Sequence, residues 1–182
     1  MARVPYQTKQ DLPSAQQGLY DQIAKPRGGR VPRVFQLLLN SPDIAARIAE
    51  VGAYAHSTLT VPADARETAI LTSMREAGCQ YEFTMHVSAA REAGVRELVI
   101  EGIKSRTTKG MLPKESVFVD LAKQVVGRRV NDPTFQAVEH LIGRQGAIDL
   151  VMIVGYYVMI ADVMMALGVE LDPGVAPLMP EG

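Results

Sequence analysis

With 182 residues the chain has room for one domain, with or without an arm, and is cramped for two full cores. A hydrophobic share of 47% with a charged share of 21% excludes a disordered chain and fits a soluble globular protein. The net charge of −1, without any dense run of Lys or Arg, excludes the electrostatic footprint of a nucleic-acid binder or a polybasic membrane binder.

In chain order, residues 1–13 hold Pro5 and Pro13 and read as an extended arm, with no apolar segment of the signal-peptide kind. A short helix is predicted from about Ser14 to Ala24, and the Pro- and Gly-punctuated stretch 25–32 reads as a loop. Ser41-Pro42-Asp43 opens the next helix, because Ser41 can cap and Pro42 loses nothing in a first turn. Ile44, Ile48, Val51 and Ala55 follow at helical spacing and read as its inner stripe. Residues 1–40 are therefore assigned to an arm with short helices, 41–171 to a helical domain and 172–182 to a tail.

A helix beginning at Thr60-Val61-Pro62-Ala63 runs to about Ala77, stops at Gly78, and turns Ile70, Leu71 and Met74 inward. Another runs from Cys79 to Ala93 with Gly94 as its stop. Shorter helices are predicted at 95–104 and 114–126, and Asp132-Pro133 starts one more. The last, from about Ala147 to Leu167, is apolar nearly all round and belongs in a core or a subunit interface. Its densest apolar stretch, Leu150 to Ala161, is shorter than the ~20 residues of a bilayer span, so a buried helix is expected and no membrane. The fold class is all-α, with seven or eight helices and no sheet.

The only cysteine, Cys79, leaves no intrachain disulfide and no zinc site of clustered cysteines. It fits a reducing compartment, and a cytoplasmic protein is expected. On a helix that turns about 100° per residue, Glu82 and His86 fall at roughly −60° and −20° from Cys79. The three side chains thus share one face, beside Phe83, Val87 and Ala90, while Thr84, Ser88 and Glu92 point away. A thiol at a helix start is favoured as thiolate by the free N–H groups there. A carboxylate four residues from an imidazole can orient it and favour its charged form. Each feature also has a plain structural reading: a lone inner cysteine is usually a packed hydrophobe, and a Glu–His pair is usually structural. Glu67 is a first-turn glutamate that complements its helix dipole, yet a reversal at Gly78 would bring its helix back alongside His86. His56 and His140 have no partner at catalytic spacing, and Met152, Met159, Met164 and Met165 are read as gap fillers in a core or interface.

The run Arg66-Glu67-Thr68-Ala69-Ile70-Leu71, then Gly78-Cys79-Gln80-Tyr81-Glu82, then His86-Val87, resembles the carboxymuconolactone decarboxylase-like family within the alkyl hydroperoxidase D-like superfamily. Ser41-Pro42, Gly94-Val95, Gly155-Tyr156-Tyr157 and Gly168-Val169 extend the likeness over residues 40–171. The resemblance implies an all-helical fold, assembly into trimers or hexamers, a site near a subunit interface and a small-molecule substrate; no metal or cofactor is expected. In the peroxidase branch a Cys-x-x-Cys pair and a His perform thiol redox chemistry, assisted by an upstream glutamate. Glu67, Cys79 and His86 match that pattern, but Glu82 stands where the second cysteine would be, which removes the dithiol cycle. The decarboxylase branch instead implies a cofactor-independent lyase acting on a carboxylated lactone. There His86 would be general acid/base, Glu82 its orienter, Glu67 an accessory proton carrier and Cys79 a thiol lining the site. A single-cysteine peroxidase and a non-catalytic ligand-binding oligomer are the alternatives.

Overall fold

The computed structural model describes residues 1–57 and 60–180. Among them are eight α-helices and no strand, so the all-α expectation holds. In order these are α1 (Gln17–Ala24), α2 (Arg33–Leu38), α3 (Pro42–Ser57), α4 (Ala63–Ala77), α5 (Gln80–Glu92), α6 (Glu97–Lys104), α7 (Pro113–Val126) and α8 (Asp132–Leu167). The chain forms two compact units: Met1–Thr58 with Val163–Pro173, and Leu59–Asp162 with Gly174–Gly182.

In the first unit α3 packs against α1 and α2. The N-terminal residues are not simply extended, since Lys9–Asp11 makes a 3-10 turn and Arg3 N–H donates to Leu167 O at 2.8 Å. A further 3-10 turn, Lys25–Arg27, interrupts the stretch read as a loop. The stripe expected on α3 is also corrected. Its buried side is Ala45, Ala46, Ala49 and Ala55, whereas Ile44 and Val51 are exposed. Of the expected stripe Ala55 is buried and Ile48 half-buried, so periodicity weighted by bulk placed the inner face only in part.

In the second unit α4 is the central helix, flanked by α5, α6 and α7 and buried along almost its whole length. Helix α4 ends as the sequence suggests. Gly78 adopts φ 73°, Gly78 N–H donates to Arg75 O, and Cys79 N–H donates to Met74 O at 2.9 Å. This paired closure around a left-handed glycine reverses the chain and sends α5 back along α4.

Helix α8 joins the two helices expected at 132 and 147 end to end. They remain distinct at Gly143, where φ 76° and ψ 165° are non-helical and open essentially to glycine alone. By length and composition α8 is apolar enough to cross a membrane, and Leu150, Ile153, Val154 and Ala161 are fully buried within the protein. Of its methionines, Met164 is buried while Met152, Met159 and Met165 are exposed.

The C-terminal segment packs on the outer side of α5. Leu178 N–H donates to Thr84 Oγ1 at 3.1 Å, and Met179 is buried. With its amide oxygen toward this segment, Gln80 accepts from Met179 N–H and donates to Met179 O, both at 2.9 Å. Thr84, expected on the solvated side of its helix, is consequently buried, whereas Ser88 and Glu92 are exposed.

Candidate active site

Glu67 on α4 and Glu82 and His86 on α5 meet in the second unit, with Tyr157 of α8 beside them. The antiparallel return after Gly78 places His86 Nδ1 2.8 Å from Glu67 Oε2. The i, i+4 spacing on α5 places His86 Nε2 3.2 Å from Glu82 Oε2. Both ring nitrogens therefore face carboxylate oxygens. An ionised carboxylate only accepts hydrogen bonds, so both nitrogens must donate and the ring is an imidazolium. Burial alone would discharge it. The hydrogen bonds and charges of Glu67 and Glu82 outweigh burial and push His86 up from 6.5 to about 9.

The two glutamates are not equivalent. The Glu67 side chain is 2% exposed and its second oxygen accepts from Arg66 Nε at 3.1 Å. Burial works to raise its pKa, but the His86 and Arg66 contacts together hold it below the usual carboxylate range. The Glu82 side chain is 12% exposed, the more open of the pair. One imidazolium and one guanidinium offset two carboxylates, so the cluster is close to neutral.

Cys79 does not sit within the helix but caps it, with extended backbone at φ −86° and ψ 91°. The thiolate expected there is not what the surroundings favour. Burial pushes the thiol up and the Glu82 charge adds to this, against the N–H groups of Glu82 and Tyr81, leaving it at about 11. At neutral pH Cys79 is a protonated, buried thiol. His56 and His140 take no part in the cluster.

Two neighbours escaped the sequence reading as site residues. Tyr157 meets His86 edge to face, with ring centroids 5.0 Å apart and planes at 89°. Burial, with the charges of Glu82 and Glu67, raises its phenol well above 10, so it is a neutral hydroxyl. Arg66 was quoted only as part of a motif. Nothing in the local spacing links position 157 to position 86, whereas Arg66 could have been found as the one cation adjacent to Glu67. Among the described residues no three His, Cys, Asp or Glu side chains are grouped to hold a metal ion.

No family model matches the sequence, and no curated protein does. Solved structures do match. The debrominase Bmp8, crystallised as a cysteine-to-alanine variant with 2,3,4-tribromopyrrole, superposes with a TM-score of 0.74 over 95% of both chains at 12% identity. Apo Bmp8 gives 0.73 at 13% identity, over 94% of this chain and 92% of that one. The fold is alkyl hydroperoxidase D-like. At such low identity the likeness is one of fold, and it is shared along nearly the whole chain rather than over the α4–α5 pair alone.

Within this alkyl hydroperoxidase D-like frame the cluster can store and pass a proton. Glu67, fixed by Arg66, holds one nitrogen of His86. The other nitrogen faces Glu82 at 3.2 Å, whose carboxylate is the more exposed of the two.

Proposed function

We propose that the protein is a cofactor-independent enzyme that moves protons on a small carboxylated lactone or cyclic acid, a lyase of the carboxymuconolactone decarboxylase type. One observation carries this reading: His86 lies between two carboxylates, one on each ring nitrogen, and holds its proton well above neutral pH. In such a reaction the bond between the ring and its carboxylate breaks and carbon dioxide leaves. The electron pair is delocalised into the lactone carbonyl as an enolate, and a proton is then delivered to carbon. Protonation of the enolate by a positioned acid is the step this cluster suits.

The geometry favours a division of labour in which Glu67 orients and Glu82 mediates. Because neither nitrogen of His86 is spare, transfer to substrate runs from Nε2 through Glu82 or requires that contact to open. Water recharges the ring afterwards, since each turnover consumes one proton. Cys79 contributes a neutral thiol to the surroundings, which places peroxide reduction second: that chemistry begins from a thiolate.

The test is a panel of lactones and keto acids, followed by carbon dioxide release and by solvent-deuterium incorporation at carbon. Peroxide and a bromopyrrole serve as further arms, the latter because of the likeness to Bmp8. His86→Gln is expected to reduce turnover by about 10²-fold or more on the accepted substrate. Turnover that survives this change removes His86 from the mechanism. Turnover confined to peroxide or the bromopyrrole, together with oxidation of Cys79 detected by mass spectrometry, replaces the lyase reading with a thiol one.

A further inference from the structure

Helix α5 carries Glu82 and His86 on one side and Gln80 and Thr84 on the other. The second pair stands four residues apart, so the two side chains are neighbours on the helix surface. At about 100° per residue each lies roughly 160° from Glu82, one to either side, so the pair brackets the line directly behind that carboxylate. In an isolated helix both would be solvated. Here Thr84 is 6% exposed, because residues 177–180 lie across it.

That segment, Pro177-Leu178-Met179-Pro180, is suited to its place. Proline has no N–H, so the run carries only two backbone donors, those of Leu178 and Met179. Both are taken by α5. Leu178 N–H reaches Thr84 Oγ1 at 3.1 Å and the Gln80 side-chain oxygen at 3.0 Å. Met179 N–H donates to the same Gln80 oxygen, and Met179 O accepts from the Gln80 amide, both at 2.9 Å. The Gln80 amide thus lies against the backbone of Met179 as a second peptide group would, with one donor and one acceptor contact. Thr84 Oγ1 donates to the Gln80 oxygen at 2.9 Å and holds the amide in that orientation. Met179 is buried, while Leu178 is exposed. The two prolines restrict the free segment, so less conformational entropy is lost when it docks.

We propose that residues 177–180 are a strap that positions Glu82, with Gln80 and Thr84 as its anchor on α5. The first turn of a helix is its weakest part, because the leading N–H groups have no partner within the helix, and such ends open locally. In α5 the first turn holds Glu82. The strap ties Gln80 of that turn to Thr84 of the next and backs the helix opposite Glu82, which keeps the carboxylate 3.2 Å from His86 Nε2. Gln80 and Thr84 act through Glu82 and are positioning residues, not catalytic ones.

His86 is faced by Glu67 from α4, with Arg66 behind it, by Glu82 from α5 itself and by the Tyr157 ring from α8. Of these partners only Glu82 belongs to the turns that the strap holds. Loosening the strap therefore acts on the Nε2 side of the imidazolium and leaves the Nδ1 contact with Glu67 in place.

The test is an NMR titration of the His86 ring in the full chain, which needs no substrate. Gln80→Ala removes both contacts to the Met179 backbone, and Met179→Asp places a charge in the buried part of the strap. Either should lower the His86 midpoint by about half a pH unit or more, while circular dichroism stays that of the parent. Amide exchange at residues 83–86 should quicken by about 10-fold. In a Glu82→Gln background, Gln80→Ala should leave the midpoint where Glu82→Gln alone puts it, because the effect passes through that carboxylate. A midpoint that Gln80→Ala does not move overturns the proposal. So does an equal shift in both backgrounds, which would make the segment a general support of the fold. For turnover the strap matters only through the proposed proton chemistry. A substrate panel that fails while the midpoint moves as expected removes that chemistry and leaves the strap.

Discussion

Glu67→Gln isolates the contribution of the buried carboxylate to the charge on His86. The rise of the imidazole from 6.5 to about 9 amounts to about 3 kcal/mol of preference for the charged ring, net of the opposing effect of burial. Two carboxylates supply it, one at each nitrogen. If they share it comparably, removing one charge while keeping the shape and the hydrogen-bond acceptor should lower the midpoint by at least about one pH unit, to about 8 or below. Arg66 loses its ionised partner in the same variant and its nearby positive charge pushes the ring in the same direction.

The measurement is an NMR titration of the histidine ring resonances, with the His86 signal identified by its loss in His86→Gln. Stability supplies a second reading. Folding raises the His86 pKa, so its contribution is complete below about pH 6.5 and is lost as pH rises through about 9. Folding lowers the Glu67 pKa, so its contribution is complete above about pH 4.5 and is lost as pH falls below that. The stability gap between parent and Glu67→Gln should therefore be widest from about pH 5 to 8, shrink between about 8 and 9, and shrink again below about 4.5. A His86 midpoint near 6.5 in the parent, or one that Glu67→Gln does not move, refutes the reasoning.

Glu82→Gln keeps the fold but removes the accessible end of the proton path; turnover of the accepted substrate should fall by about 10²-fold, and the fall in rate on the alkaline side of the profile should begin at lower pH. Cys79→Ala should leave lyase turnover within about 3-fold of the parent, and alkylation of Cys79 by iodoacetamide in the native protein should be negligible at pH 7 and rise only toward pH 11. Gly102→Ala would bring a Cβ within 2.5 Å of Met111 Cε and 2.8 Å of the Thr107 carbonyl oxygen, so urea unfolding should report a loss of about 1–3 kcal/mol.

The pairing of Glu82 with His86 was legible because it is local: four residues on one helix must be neighbours, whatever surrounds them. The stop at Gly78 was legible for the same reason, since a left-handed C-terminal closure asks for glycine. The approach of Glu67 to His86 could only be raised as an outcome of the reversal at Gly78, and the packing of α4 on α5 sets the 2.8 Å contact. On α3 the local rule held only in part: Ala55 of the expected stripe is buried, but Ile44 and Val51 lie outside and the inner face is lined by alanines.

What the sequence determined by itself was therefore the helical class, the helix ends and the short-range pair on α5, all consequences of backbone preference and a 3.6-residue repeat. Tertiary structure decided the second carboxylate on His86, the edge of Tyr157 against the ring, and the fate of Cys79. A thiol at a helix start is activated by the free N–H groups when water reaches it, but burial reverses the balance, and burial is a property of everything packed around residue 79 rather than of its neighbours in the chain.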